Sequence, residues 1–456
     1  MFAFSRARHT IQVGPWGGQE TATMELSYGE ESERRAQPGC PASTPNRYMT
    51  IRSATEALCA PLSAEDAALQ SMPDASPAKW HLAHSSWFFE TFVLCPTVPG
   101  YRVFSTAYHA LFNSYYQSVG KPYPRPKRGL LSRPSLDEVV AYRRHVDHRM
   151  TDLLATPRIA ERGELLAVIE LGLQHEQQHQ ELLLTDLKHL FFQNPLRPSY
   201  RAGAEGKTEA PAPGRSWCEH PGGIARIGHP GQGFSFDNER PRHRRLLEPF
   251  ALASRLVTNG EWMAFMADGG YERPELWLSD GFDAVRAGDW RAPLYWERDD
   301  CGWQLFTLSG TQSVSPHDPV CHVSAYEADA FARWARVRLP GEDEWEILAT
   351  GLPVEGNFVE SGLLRPASVC GGSATPRQLF GDVWEWTRSP YVPYPGYQPP
   401  EGALGEYNGK FMANQWVLRG GSCATPQAHV RASYRNFFPP SARWQFSGVR
   451  VARDLR

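Results

Sequence analysis

Two histidines, His175 and His179, stand four residues apart inside a long stretch with helical spacing of its apolar residues. The apolar residues recur through 164–173 before the pair and through 182–187 after it. Side chains four apart on a helix share one face, one turn above the other, so both imidazoles can reach one metal ion. Any fold of this chain must therefore keep this helix whole and bring further ligands to that face.

The pair belongs to the run His175-Glu176-Gln177-Gln178-His179, which fits the H-E-x-x-H pattern of zinc proteases. In those enzymes the two histidines bind zinc and the glutamate is the general base. A solvated helix face is a second interpretation, because most residues around the histidines are polar. The spacing alone leaves both interpretations open.

A third histidine, His84, follows in Trp80-His81-Leu82-Ala83-His84-Ser85-Ser86-Trp87. On a helix it falls on the side of Ala83 and Trp87, which faces inward. A core histidine bonded to the backbone would have the same pattern. Since facing helices of a bundle build metal sites in their core, the sequence predicts His84 as a partner of His175 and His179. Three neutral imidazoles suit zinc or ferrous iron.

Composition limits the kind of protein this is. The chain of 456 residues is long enough for two domains or more, and 41% apolar with 21% charged residues is typical of soluble globular proteins. A formal charge of -3 gives no reason to expect nucleic acid or a membrane surface as a partner. Eight scattered cysteines without a C-x-x-C favour a reducing, cytoplasmic location.

The change of periodicity and composition along the chain predicts an α+β multidomain protein. Residues 1–47 are polar and without periodicity, so we expect a disordered extension. Residues 48–200 have helical patterns, including 51–69, a capping box of Ser135 with Glu138, and 162–192; four helices in a bundle are expected.

A Gly/Ala/Pro-rich linker is predicted over 201–215. Residues 216–456 are crowded with glycine, proline and tryptophan, which predicts an irregular α+β domain with short strands. Its clear helical patterns are Asn259–Met266 and Ser324–Ala335.

Both zones resemble known families. The first resembles the DinB-like bundles, through W-x-L-A-H on one helix and H-x-x-x-H on another. The second resembles the formylglycine-generating-enzyme (sulfatase-modifying factor) domain, a relative of C-type lectin folds. The matching segments of the second zone, in chain order, are 236–241, 257–259, 268–271, 319–320, 323–324, 338–346, 381–387 and 418–422.

Together, over 49–456, the two zones resemble the non-haem iron sulfoxide synthases of ergothioneine biosynthesis. The resemblance implies an Fe(II) oxidoreductase that uses O₂ to join the sulfur of cysteine or γ-glutamylcysteine to the imidazole carbon of hercynine. It implies that His84, His175 and His179 are the iron ligands. No metzincin-type third ligand follows His179, and Glu176 need not be catalytic, so the protease interpretation loses its support.

The resemblance also suggests catalytic and substrate-binding residues. An adjacent pair, Tyr115 and Tyr116, is expected to supply a proton or an electron, with Tyr407 as a weaker alternative. Arg125 and Arg128 suit a substrate carboxylate, which a planar guanidinium can hold bidentately.

Hercynine is expected to meet Gln178 of the histidine helix and the segment Arg435-Asn436-Phe437-Phe438. Aromatic faces suit its trimethylammonium group. Enzymes that take γ-glutamylcysteine carry an aspartate where this chain has Phe438. That departure favours a smaller donor, with cysteine first.

Two alternatives stay open. A selenoneine-forming branch of the family couples a selenosugar to hercynine, and no local motif separates selenium from sulfur. A non-catalytic binding protein with the same two domains would capture hercynine without iron. The C-terminal half has Cys423 but lacks the second cysteine of the copper pair in formylglycine-generating enzymes, so we expect it to supply a wall of the site. Trp345, Trp384 and Trp386 are expected to be core residues.

Overall fold

The computed structural model describes residues 44–157, 159–202, 212–369 and 375–455. The predicted extension 1–47 lies outside these ranges except for 44–47, which belong to the first helix instead. Of the predicted linker 201–215, residues 203–211 lie outside as well. In the described part of the chain, no helix is long and apolar enough to cross a membrane.

Four long helices form the predicted N-terminal bundle. They are α1 (Thr44–Cys59), α3 (Ala78–Phe89), α6 (Leu136–Leu154) and α7 (Gly163–Gln193). Helices α1 and α3 each pack against the other three, and buried apolar side chains fill the space between them. A π-helical segment, Glu90–Leu94, continues α3. The short helices between them are α2 (Ala64–Ala68), α4 (Cys95–Thr97) and α5 (Tyr108–Leu111), with 3-10 segments at Arg125–Leu130 and Ile159–Glu161.

The local sequence explains where these helices begin and end. The capping box before α6 is confirmed: the Glu138 N–H donates to Ser135 Oγ at 3.2 Å, and the Ser135 N–H donates to Glu138 Oε2 at 2.8 Å. The helix predicted over 51–69 is instead two helices, α1 and α2. Pro61 interrupts the pattern because it cannot continue a helix, and Ser63 then caps α2.

The C-terminal half has the predicted irregular α+β character. Strands β8 (Trp384–Pro390), β9 (Trp416–Arg419), β10 (Asn436–Phe438) and β11 (Ser447–Gly448) form a sheet in the order β10-β9-β8-β11. The other strands are β1 (Trp217–His220), β2 (Gly223–Ile227), β3 (His243–Leu247), β4 (Phe250–Ala253), β5 (Trp296–Asp299), β6 (Gly302–Thr307), β7 (Gly310–Ser313) and β12 (Ala452–Asp454). They pair as β1-β4-β12, β2-β3 and β5-β6-β7.

The two predicted helices of this half are confirmed as α8 (Asn259–Ala267) and α10 (Ala325–Trp334). Two further helices were not predicted, α9 (Ser279–Gly288) and α11 (Glu342–Ala349). The sequence does not predict helix α11, because three of its buried residues are glutamates and the apolar stripe typical of a packed helix is therefore missing. They form ion pairs that the local sequence does not reveal, among them Glu342 with Arg435.

Helix α7 is the longest element described, 31 residues and about 46 Å at 1.5 Å per residue. Most side chains in its middle are buried and the remainder face a cavity, so the polar residues around the histidines do not form a solvated face. Glu176 points at α1 and α6, where its carboxylate accepts from Arg52 Nη1 at 2.9 Å, Arg143 Nη2 at 2.6 Å and Thr55 Oγ1 at 2.7 Å. These partners hold the pKa of Glu176 at about 2.

Glu176 is therefore a structural anion, and its removal has a measurable cost. Glu176→Gln leaves two buried guanidinium groups short of a counter-charge, and we expect it to lower the free energy of unfolding of the metal-free protein by about 3–5 kcal/mol. Urea unfolding followed by far-UV circular dichroism measures this. Glu164→Gln, an exposed glutamate in the first turn of the same helix, is the matched control and should stay close to the parent. Equal stability of the two variants would contradict this role.

Candidate metal centre and adjoining cavity

Three buried histidines converge where α3 faces α7. One ring nitrogen from each of His84, His175 and His179 lies within 4.8 Å of the others, and the Nε2 atoms of His84 and His175 are 3.1 Å apart. Gly172, one turn before His175, permits this approach, since a Cβ there would lie 2.7 Å from Phe89 and 2.8 Å from Phe88. The structure thus brings together all three histidines that the sequence singled out.

The chemistry of this set fits a divalent transition metal. Burial and the neighbouring histidines lower the pKa of His84 and His179 well below the usual value, and burial lowers that of His175 to about 3. All three rings therefore offer neutral nitrogen lone pairs at neutral pH. A face of three imidazoles suits zinc or iron and leaves positions open on the cavity side.

A fourth histidine, His81, lies beside the cluster and was not predicted. Its Nδ1 is 2.8 Å from Nδ1 of His179, and its Nε2 is 3.0 Å from Oδ2 of Asp186. His81 stands one helical turn before His84, a spacing that the sequence offered as a signal. The signal for Asp186 was its position seven residues after His179, on the same face of α7.

A cavity of about 550 Å³ opens beside His175 and His179, between the bundle and the C-terminal half. Its volume falls in the range of small-molecule sites. Both halves contribute its walls, in which aromatic rings stand among polar and charged side chains. The aromatic residues are Trp80, Tyr115, Phe236, Trp384, Tyr407, Tyr434, Phe411, Phe437, Phe438 and Trp444.

The three candidate tyrosines take different positions. Tyr407 is closest to the cluster, with its ring centroid 5.7 Å from that of His175. Tyr115 also lines the cavity, 6.3 Å from Tyr407 between ring centroids. Tyr116 is fully buried behind Tyr115, packed on Trp87, and does not belong to the lining. Burial raises the pKa of all three phenols, so they stay protonated.

A segment of the C-terminal half holds Tyr115 and Tyr407 side by side. The carboxylate of Glu406 accepts from the backbone N–H groups of Gln117 and Ser118 at 3.0 Å. Lys410 Nζ donates to the Tyr115 carbonyl at 2.6 Å. The position of Tyr407 therefore depends on contacts between residues almost 300 apart in the chain.

The two predicted arginines differ in environment. Arg125 lies exposed at the cavity rim. Arg128 is buried, its guanidinium carbon lies 3.4 Å from the Trp80 ring centroid, and its Nη1 donates to Ser76 Oγ at 2.9 Å. Its Nε has no hydrogen-bond partner in the described structure, and burial lowers its pKa to about 8. A buried guanidinium that lines a cavity without a carboxylate partner is suited to bind an anion.

Gln178 joins the two halves at the cavity. Its amide nitrogen donates to Tyr434 Oη at 2.7 Å, and its amide oxygen accepts from Tyr407 Oη. Trp384, expected to be a core residue, is buried but also lines the cavity, and its indole N–H donates to Glu181 at 2.8 Å. Trp345 and Trp386 are fully buried core residues as expected.

The segment 435–438 lies along the cavity, and Asn436–Phe438 within it form strand β10. Asn436, Phe437 and Phe438 line it, and Phe437 stacks on Tyr391 with ring centroids 4.0 Å apart. Arg435 also lines the cavity, and its predicted substrate role stays a prediction, although its guanidinium is already paired within the C-terminal half. Its guanidinium donates twice to Glu342, at 2.8 and 2.9 Å, and also to two backbone carbonyls.

Known families match the chain in two blocks. The DinB superfamily matches residues 47–183. The Sulfatase-modifying factor enzyme 1-like domain matches 206–369 and 374–455. These blocks agree with the bundle and with the irregular half.

Curated relatives cover both blocks. The chain is 32% identical over 410 residues to a hercynine oxygenase of Mycolicibacterium thermoresistibile, covering 84% of this chain and 88% of the relative. It is 33% identical over 407 residues to a hercynine oxygenase of Mycobacterium tuberculosis, covering 84% and 92%. A third relative, Ergothioneine biosynthesis protein 1 of Schizosaccharomyces pombe, is 27% identical over 236 residues, with 48% of this chain and 28% of that protein covered.

The histidine cluster predicts how metal binding responds to substitution. Replacing His84, His175 or His179 by alanine removes one of three donors, and we expect each change to weaken Co(II) binding by more than the roughly 10–100-fold that loss of a supporting residue costs. Titration of the metal-free protein followed by visible absorption measures this. His189→Gln, on the same helix but bonded to Ser71, is the control and should bind as the parent does. Parental affinity in any of the three alanine variants would remove that residue from the ligand set.

Proposed function

This chain belongs to the hercynine oxygenase family and is an oxygenase enzyme; we propose that it joins a sulfur donor to hercynine as a sulfoxide in ergothioneine biosynthesis. The observation that carries the proposal is the convergence of His84, His175 and His179 on a cavity with walls from both halves. Three neutral histidines can hold the metal of an oxygenase and leave coordination positions for O₂ and substrates. The family relationship supports hercynine as the substrate.

Fe(II) is the proposed metal, held by the three histidines, and when bound it supplies the redox steps and open positions that O₂ chemistry requires. The overall reaction balances as hercynine C–H plus donor S–H plus O₂, giving the C–S sulfoxide and water. One C–H and one S–H bond break, and one C–S and one S=O bond form. O₂ is reduced by four electrons and ends as the sulfoxide oxygen and water.

Aromatic walls and Asn436 are proposed to bind hercynine. The lining rings can face its trimethylammonium group, and a good cation–π contact contributes about 1–2 kcal/mol when desolvated. Asn436 lies on the same wall and is proposed to bind the hercynine carboxylate. Gln178 lies between the two helix histidines and holds Tyr407 and Tyr434, so it orients two rings of the wall.

Tyr407 and Tyr115 are proposed to deliver the proton that the coupling requires. Both line the cavity and remain protonated phenols, and Tyr407 is the one beside His175. Tyr116 takes a supporting position behind Tyr115. This arrangement reverses the order that the sequence suggested, in which Tyr115 and Tyr116 came first.

Phenylalanine substitutions test this assignment. We expect Tyr407→Phe to lower sulfoxide formation by about 100-fold or more, since general acids contribute about that much. Tyr115→Phe should cost less than Tyr407→Phe, and Tyr116→Phe less than either. Product formation under air, followed by mass spectrometry, measures all three. A loss in Tyr116→Phe as large as in Tyr407→Phe would contradict the geometric assignment.

Cysteine is the proposed donor. Arg128 is buried and has no carboxylate partner in the described structure, so it suits a substrate carboxylate, and Phe438 favours a smaller donor than γ-glutamylcysteine. A charged hydrogen bond contributes about 1.5–3 kcal/mol, so Arg128→Gln should raise the KM for cysteine about 10–100-fold with little effect on the KM for hercynine. Cysteamine, which lacks the carboxylate, should be used equally poorly by parent and variant. Lys127→Gln, an exposed neighbour that is not part of the cavity lining, is the matched control.

Competition among donors decides between sulfur and selenium. Fe(II)-loaded protein is mixed with hercynine, cysteine, γ-glutamylcysteine and a selenosugar under O₂, and the products are read by mass spectrometry. The proposal predicts that the cysteine adduct predominates. A preferred selenosugar adduct would overturn the donor assignment, and hercynine binding without any product would favour the non-catalytic alternative.

A further inference from the structure

His81, Asp186 and His179 form a continuous hydrogen-bonded chain that ends at the metal centre. His81 Nδ1 lies 2.8 Å from His179 Nδ1, and His81 Nε2 lies 3.0 Å from Asp186 Oδ2. His81 and Asp186 are both buried.

The chain of contacts fixes the tautomer of each ring. The Asp186 oxygen accepts the backbone N–H of Ser76 at 2.8 Å, so it acts as an acceptor toward His81 too. His81 must then carry its proton on Nε2, which leaves the Nδ1 lone pair to accept from His179. His179 therefore carries its proton on Nδ1 and presents the Nε2 lone pair to a metal.

The opposite arrangement would destroy the ligand. With a proton on Nδ1 of His81, the Nδ1 atom of His179 would have to accept, and its own proton would move to Nε2. A protonated Nε2 cannot bind a metal. The carboxylate of Asp186 thus determines, through His81, whether His179 can be a ligand.

The other two histidines lack such support. Nδ1 of His84 donates to the Phe112 carbonyl at 2.6 Å, a neutral acceptor, and Nδ1 of His175 has no partner in the described structure. A carboxylate behind an imidazole makes it a stronger donor than a carbonyl does. The three ligands are therefore unequal, because among them only His179 is linked to a carboxylate in the described structure, through His81.

We propose that His81 and Asp186 are positioning residues that hold His179 as an Nε2 ligand and strengthen its bond to the metal. The inference rests on the metal centre of the proposed function, but not on hercynine or the donor. Asp186 is itself anchored by Ser76, whose hydroxyl accepts from Arg128 at 2.9 Å. The same network thus connects the metal centre with the candidate carboxylate site.

Co(II) binding by the full-length chain and its single-residue variants tests the proposal without requiring turnover. Asp186→Asn and His81→Leu should each weaken Co(II) binding roughly 10–100-fold and shift the visible bands of the bound ion. His81→Gln keeps an acceptor oxygen and should recover part of the lost affinity. His189→Gln, a part-buried histidine three residues after Asp186, should match the parent in affinity and spectrum.

Melting of the metal-free variants separates positioning from folding. The proposal predicts metal-free melting temperatures close to the parent together with weakened cobalt binding. Parental affinity and spectrum in both Asp186→Asn and His81→Leu would overturn it, as would an affinity loss that only follows a loss of folded protein. If the parent protein itself bound no Co(II), that result would contradict the metal site of the proposed function.

Discussion

Helix α7 is buried on three sides, and the rest of the structure depends on how its polar residues are shared among those sides. His175, His179 and Asp186 face α3, Glu176 faces the arginines of α1 and α6, and Gln178 faces the C-terminal half. Each buried polar group has a cost unless it is paired, so each of these contacts limits how neighbouring elements can pack. Helix α7 thereby contacts the other bundle helices, supplies two of the three histidines, and binds the C-terminal half.

The C-terminal half completes the site without holding the metal. Glu181 of α7 accepts from Ser422 Oγ at 2.5 Å, Thr425 Oγ1 at 2.7 Å and Trp384 Nε1 at 2.8 Å. These contacts lie beside the cavity and attach its aromatic wall to the ligand helix. The three histidines come from the bundle, whereas the C-terminal half contributes one wall of the cavity. In the proposed function, a change in the packing between the halves would therefore move the substrate relative to the metal.

Sequence patterns revealed the parts of the site that local spacing determines. The four-residue spacing of His175 and His179 on a helix is sufficient to place both rings on one face, and the motif around His84 supplied the third. The ion pairs of Glu176 with Arg52 and Arg143 could not be predicted from the sequence, because these partners lie on other helices. Polar residues beside the histidines therefore suggested a solvated face, whereas ion pairs of Glu176 and hydrogen bonds of the glutamines satisfy them inside the protein.

Tertiary contacts determine which of the other predicted residues line the cavity and which charged groups are already paired. Tyr115 and Tyr116 are neighbours in sequence, yet only Tyr115 lines the cavity, and Tyr407 reaches the cluster through the docking of a distant segment. Arg435 belongs to a promising motif, but Glu342, 93 residues earlier, occupies its guanidinium. No local pattern carries that information.

The central claim is that a metal held by the bundle and hercynine held by both halves share one cavity. Electron paramagnetic resonance of the anaerobic Fe(II) protein with nitric oxide, which occupies the O₂ position, tests it directly. The account predicts that hercynine changes the iron–nitrosyl signal in a saturable way and that His175→Ala abolishes the signal. A signal that is indifferent to hercynine, or one that survives His175→Ala unchanged, would contradict it.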